Sequence, residues 1–223
     1  MKAFLGTGLL GHGFVRAMID KGQQVQVWNR TAAKAKDLEQ YGAKAFEDIA
    51  KAVTNADVIH LALKDDATVD ETLSAAEPAL ARGSFIVDHT TTSIEGAKRR
   101  TAEWHNKGFL YQHAPVFMGP QNALESTGYM LVSGDQGLVK KLEPQLSALT
   151  GTLINFGEEP GKAAAMKLAG NLFLVAFLCV TIDHRVVGGN IGCHRRFDSI
   201  KELLRTVYKV IFAVEANKNV VAK

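Results

Sequence analysis

A short, largely apolar opening, Met1-Lys2-Ala3-Phe4-Leu5, runs straight into Gly6-Thr7-Gly8-Leu9-Leu10-Gly11, and that junction restricts the fold of this chain more than any other feature. A strand that enters a G-x-G-x-x-G turn and leaves it as a helix is the phosphate-binding start of a dinucleotide site. Gly6 permits the tight turn, Gly8 lets the backbone approach a pyrophosphate, and Gly11 lets the helix pack on the sheet. Free N–H groups and the positive end of the helix dipole then meet the phosphate charge. The motif alone is weak, because most glycine-bearing turns bind nothing. Here the strand precedes it, a helical stretch Leu9–Lys21 follows, and a second strand, Gln24–Trp28, ends where a ribose reader belongs.

The residues after that second strand are Asn29, Arg30 and Thr31. A site for NAD places Asp or Glu there to hold the ribose hydroxyls. A carboxylate would repel a 2′-phosphate, whereas a guanidinium clamps it and a threonine hydroxyl adds a donor. NADP(H) is therefore the expected cofactor, in preference to NAD(H). The competing reading is a solvated arginine opening the next helix, with Thr31 as its cap.

Hydrophobic content of 47% and charged content of 22% are those of a globular protein. A net charge of +3 without a basic block argues against nucleic acid. Cys179 and Cys193 form no C-x-x-C pair, so neither a disulfide framework nor a zinc site is expected. The chain enters its first strand at once, which reads as no secretory leader and predicts a cytoplasmic, reducing setting. The apolar run Leu172–Ile182 is too short to cross a bilayer and reads as a buried helix, so no membrane partner is expected.

Strand-like runs at Lys2–Leu5, Gln24–Trp28, Ala43–Ala45, Val58–Ala62, Phe85–Asp88, Phe109–Gln112, Tyr129–Ser133 and Thr152–Asn155 alternate with helical stretches such as Ala32–Tyr41, Ser93–Lys107 and Gln136–Leu149. That alternation predicts an α/β fold, a Rossmann-type doubly wound and mostly parallel sheet over residues 1–158. Gly157–Gly161 reads as the start of a long helix, and residues 159–223 as that helix plus an incomplete helical segment. Within the segment, Asp183-His184-Arg185 and the loop 188–192 interrupt the pattern, and Phe197–Val214 resumes it. His184, Cys193 and His194 match no ligand spacing, so no metal is expected.

Three later segments complete a resemblance to the β-hydroxyacid dehydrogenase family, which includes 3-hydroxyisobutyrate dehydrogenase, semialdehyde and glyoxylate reductases and, as a divergent branch, imine reductases. Val87-Asp88-His89-Thr90-Thr91-Thr92 is similar to the family's strand-end Asp-x-Ser-Thr, which implies that Thr91 borders the nicotinamide. Leu63-Lys64 stands where the family has Leu-Pro near the ribose, with Lys64 a departure. The threonines also suit a strand followed by a helix cap at Ser93. His113-Ala114-Pro115-Val116-Phe117-Met118-Gly119 answers to Asp-Ala-Pro-Val-Ser-Gly-Gly, in which serine and glycine amides hold a substrate carboxylate. The resemblance implies substrate contact by Phe117, Met118 and Gly119, but bulky apolar side chains here equally suit a filled core. Lys167 and Asn171, four apart on one helix face, match the family's Lys-x-x-x-Asn, whose lysine moves the proton. The likeness runs to about Val180, beyond which the family's helical domain is not recognisable.

The leading expectation is an NADP(H)-dependent oxidoreductase acting on a small 3-hydroxyacid or its semialdehyde, with Lys167 and Asn171 catalytic. An imine or apolar carbonyl reductase is a second reading, encouraged by Phe117 and Met118. A cofactor-binding module without turnover is a third. A homo-oligomer is expected, because the helix after Gly161 carries an apolar surface that needs cover.

Overall fold

The first strand is buried on both sides, with Ala3 and Leu5 facing one way and Phe4 the other, as a strand covered by helices on both faces requires. A computed structural model describes residues 1–187, with side chains to residue 175. The chain divides into two compact units, Met1–Gly170 and Asn171–Lys223. The strands are β1 (Lys2–Leu5), β2 (Val25–Trp28), β3 (Lys44–Phe46), β4 (Val58–Leu61), β5 (Phe85–Asp88), β6 (Leu110–His113), β7 (Val116–Phe117), β8 (Tyr129–Val132) and β9 (Thr152–Asn155). The helices are α1 (Leu9–Asp20), α2 (Ala32–Lys36), α3 (Ile49–Val53), α4 (Asp66–Ala76), α5 (Ile94–Asn106), α6 (Pro120–Glu125), α7 (Gln136–Ser147) and α8 (Lys162–Val187).

Six strands form one parallel sheet in the order β3-β2-β1-β4-β5-β6. One core joins Phe4, Val25, Val27 and Val87 to Phe14 and Met18 of α1 and to Leu142 and Leu146 of α7. The other joins Leu5, Ile59, Leu61 and Ile86 to Val53 of α3, Leu73 of α4 and Trp104 of α5. The doubly wound α/β architecture is therefore as the alternation predicts. Gly13 lets α1 sit against α6, since a Cβ there would come within 2.7 Å of the Pro120 carbonyl oxygen.

The strands from Tyr129 and Thr152 do not extend that sheet. They form a separate three-stranded sheet, β7-β8-β9, in which β7 runs antiparallel to β8. The two-residue β7 escaped the sequence reading because Pro115 interrupts the run. Proline offers no N–H to a ladder, and the chain leaves β6 there to start a new pairing. The helical stretch from Ala32 is likewise divided, with a 3₁₀ turn over Asp37–Tyr41 that stops at the left-handed Gly42. Among the described residues no helix is long and apolar enough to cross a membrane. Phe197–Val214, Cys193 and His194 lie outside the described residues, as does the side chain of His184.

Candidate cofactor and active site

Register places the site. Leu5 is level with Trp28 and Leu61, Leu61 with Asp88, and Asp88 with His113. Gly6, Asn29, Ala62, His89 and Ala114 therefore leave the sheet along one carboxyl edge. The strand order reverses across β1, and ligands of such sheets bind in the crevice outside that reversal. A cleft of about 700 Å³ opens there, within the range of small-molecule sites. Gly6, Gly8, Leu9, Leu10, Gly11, Asn29, Arg30, Thr31, Leu63, Lys64, Thr91, Met118 and Lys167 all line it.

At the phosphate end, Gly6 has φ +96°, and a Cβ on it would lie 2.5 Å from the Ala62 carbonyl oxygen. A Cβ on Gly11 would overlap the Gly6 carbonyl oxygen, whereas Gly8 faces open space. Helix α1 has no side-chain cap and no acidic residue in its first turn. The Thr7 hydroxyl is buried without a partner. Open backbone, an unneutralised helix dipole and an orphaned hydroxyl together fit a dinucleotide diphosphate. Asn29 acts inward here: its Oδ1 accepts from the Thr7 N–H at 3.0 Å, and its Nδ2 donates to the Thr31 carbonyl at 3.0 Å. It ties the end of β2 to the phosphate turn.

Arg30 and Thr31 stand exposed beyond that tie, and the Thr31 hydroxyl makes no capping bond. No carboxylate among the described residues pairs with Arg30. Lys34 lines the same end, a cation the sequence reading missed. Its spacing of one helical turn from Arg30 was the available signal.

Across β1, the threonine loop is held from beneath by a buried network. Thr90 N–H donates to Asp88 Oδ1 at 2.9 Å, and the Tyr111 hydroxyl donates to Asp88 Oδ2 at 2.7 Å. Arg100, with no exposure, donates to the Tyr111 oxygen at 3.2 Å and to Asp70 at 3.1 Å, and also pairs with Asp66. Burial works against the Arg100 charge, but Tyr111, Asp66 and Asp88 outweigh it and hold the guanidinium protonated. Burial, with Asp88 adding to it, pushes the Tyr111 hydroxyl well above its ordinary pKa. The Leu63 N–H donates to Thr90 Oγ1 at 3.0 Å, and Asp65 caps α4, so the turn bearing Lys64 closes without the family's proline. His89 lines the cleft, with Nδ1 2.9 Å from the Ala114 carbonyl and its ring stacked on Phe14.

Lys167 enters from the first turns of α8 and is 9% exposed. Its Nζ lies 4.1 Å from the centroid of the Phe117 ring. A Cβ at Gly170 would overlap that ring, so α8 and β7 approach closely only because this residue is glycine. Burial draws the Lys167 pKa down to about 8. Met118 is in the cleft wall, whereas Phe117 reaches the site through Lys167. Gly119 caps α6, and its N–H is given to Asn122 Oδ1 at 2.9 Å. Asn171 falls in the second unit and keeps its spacing of four residues from Lys167. Chemically, the cleft offers a phosphate grip, a cationic end and a desolvated amine.

Residues 2–157 match the family model of the NAD binding domain of 6-phosphogluconate dehydrogenase. The chain is 29% identical over 180 residues to the "Uncharacterized oxidoreductase YfjR" of Bacillus subtilis, covering 79% of this chain and 63% of that protein. It is 28% identical over 194 residues to a "Probable 3-hydroxyisobutyrate dehydrogenase" of Mycobacterium bovis, covering 85% of this chain and 64% of that one. Among solved structures, an imine reductase from Myxococcus stipitatus in complex with NADP+ superposes with a TM-score of 0.83 at 25% identity, covering 97% of this chain and 78% of the other. The chain spans a little over three fifths of the length of these bacterial relatives and a third of the length of some others it matches.

Proposed function

The chain belongs to the family that shares the NAD binding domain of 6-phosphogluconate dehydrogenase, and from that premise we propose that it is an NADP(H)-dependent oxidoreductase moving a hydride between the nicotinamide and a small 3-hydroxyacid or its semialdehyde. The observation that carries the reading is the gathering of the phosphate turn, Arg30 and Lys167 on one cleft. The nicotinamide, when bound, supplies or takes the hydride. The chain's residues do the rest. The phosphate turn and α1 hold the diphosphate, and Arg30, Thr31 and Lys34 face the adenosine end and favour a 2′-phosphate.

Reduction of a carbonyl leaves an oxygen that needs a proton, and Lys167 is the donor. An amine whose pKa is about 8 gives up a proton near neutrality far more readily than an ordinary lysine. Asn171, one turn along α8, is the orienting partner. Thr91 borders the nicotinamide, and Leu63 and Lys64 lie near the ribose.

A second reading, reduction of an imine or an apolar carbonyl, is favoured by one observation: a ring, not a hydroxyl, adjoins Lys167. Met118 in the wall and the Phe117 ring against Lys167 reward apolar contact and offer no side-chain donor to a carboxylate. The functional unit in either reading is a homo-oligomer whose partner copy covers the helix after Gly161. NADPH consumption against a panel of semialdehydes, apolar ketones and cyclic imines tests the proposal. Turnover of semialdehydes supports the first reading, and turnover confined to ketones or imines supports the second. No NADPH binding at all defeats both.

A further inference from the structure

Lys167 is 9% exposed, yet no carboxylate pairs with it among the described residues. What lies over its ammonium is the face of the Phe117 ring, at 4.1 Å. A ring face attracts a cation but also gives a neutral amine ordinary apolar contact, so it does not lock the lysine in its charged form as a carboxylate would. The ring is itself fixed, because Phe117 pairs with Tyr129 across β7 and β8 and Gly170 fits flush against it. The same side of the cleft presents Val116 and Met118, which exclude water without adding charge.

From this arrangement we infer that Lys167 is a nucleophilic site that captures aldehydes as imines within the cleft, independently of any nicotinamide. The Nζ lone pair attacks the carbonyl carbon to give a carbinolamine. The former carbonyl oxygen then leaves as water with the two amine protons, and a C=N bond remains. Protonation of that imine restores a cation over the Phe117 ring. The apolar wall selects uncharged aliphatic aldehydes over ionic ones.

Burial is the sole cause drawing the Lys167 pKa to about 8. The other titratable groups on the cleft walls are His89 after β5, Lys64 after β4, Glu71 of α4, and Arg30 and Lys34 after β2, and none of them pairs with Lys167. At pH 7.5 roughly a quarter of such amines are neutral, against about one in a thousand for an ordinary lysine.

The test treats the whole protein with butyraldehyde and cyanoborohydride, with no nicotinamide present, and maps the secondary amine formed by peptide mass. Lys167 should label at least about tenfold faster than Lys162 on the same helix at pH 7.5, with the rate rising through a midpoint near pH 8. Lys167→Arg should abolish that label. Phe117→Glu, which sets a carboxylate beside the amine, should slow it at pH 7.5 and move the midpoint upward. Labelling no faster than at Lys162, or a wild-type midpoint near that of ordinary lysines, overturns the inference without recourse to any variant. Because no cofactor enters the assay, failure here leaves the hydride-transfer proposal standing, and the reverse also holds.

Discussion

His60 of β4 and His89, just past the end of β5, share a single buried hydrogen bond, Nδ1 of the first to Nε2 of the second at 3.1 Å. A carbonyl oxygen only accepts, so the Ala114 contact fixes the proton of His89 on Nδ1. Its Nε2 must then accept, and His60 Nδ1 must donate. Both rings are neutral, both are buried, and they stack with Phe4 and Phe14.

Acid should therefore loosen this fold. Burial, then the His89 and Lys2 charges, hold the His60 pKa well below its ordinary value, and burial lowers that of His89 to about 4 against the raising effects of Ala114 and Asp88. The unfolded chain takes up protons at these sites near pH 6.5, where the folded chain does not. Stability is thus complete above about pH 6.5 and declines as pH falls toward 4, by up to about 1.4 kcal/mol per pH unit for each histidine. Urea denaturation at a series of pH values reads this directly. A flat profile between pH 4.5 and 6.5 would contradict the neutral pair.

Arg100 should be among the most sensitive core positions. Arg100→Met leaves Asp88 buried beside a Tyr111 that has lost its donor, and breaking a buried ion network in this way costs about 3–5 kcal/mol. Arg100→Lys should recover little, since one ammonium cannot serve Tyr111, Asp66 and Asp70 together. A loss below about 1 kcal/mol in the denaturation midpoint would show the network to be dispensable.

Lys167 should cost stability and supply rate. Its folded pKa, about 8, lies below the ordinary value of 10.5, so the unfolded chain binds the extra proton between those values. The penalty is full below pH 8 and disappears as pH rises through 10.5. Lys167→Met should accordingly raise stability at pH 7 by roughly 1–3 kcal/mol while cutting turnover about a hundredfold and leaving NADPH affinity intact. An unchanged rate would remove Lys167 from the chemistry.

Arg30→Ala should weaken NADPH about tenfold or more and leave NADH nearly unchanged, since one charge-assisted clamp is worth roughly 1.5–3 kcal/mol. Lys34→Ala should act in the same direction and less strongly. Equal dissociation constants for the two dinucleotides in the unaltered protein, by fluorescence titration, would refute the preference.

Short-range chemistry was readable in the sequence, and long-range company was not. The turn from Gly6 to Gly11 announces itself because each glycine answers a local need, and β1, β5 and β9 were read to the residue for the same reason of pattern. The network of Asp66, Asp70, Asp88, Arg100 and Tyr111 is invisible by comparison. Apart from Asp88 its charges sit on helices that look solvated in sequence, and only packing of α4 and α5 on one sheet face brings Asp66 and Asp70 to the buried Arg100. Phe117 and Lys167 are likewise fifty positions apart, and no periodicity links a two-residue strand to a helix turn. The family resemblance named both residues but not their contact.

The tie made by Asn29 has a bearing on how such a site changes over time. Asn29 secures the phosphate turn by its side chain, holding the Thr31 carbonyl as well, while the side chains of Arg30 and Thr31 stand exposed beyond it. On the proposed reading, grip and choice fall to different side chains of adjacent residues. Substitutions at Arg30 or Thr31 should then exchange one dinucleotide for the other in small steps without loosening the turn. A substitution at Asn29 offers no such gradual route, because it unfastens the turn before it alters any preference.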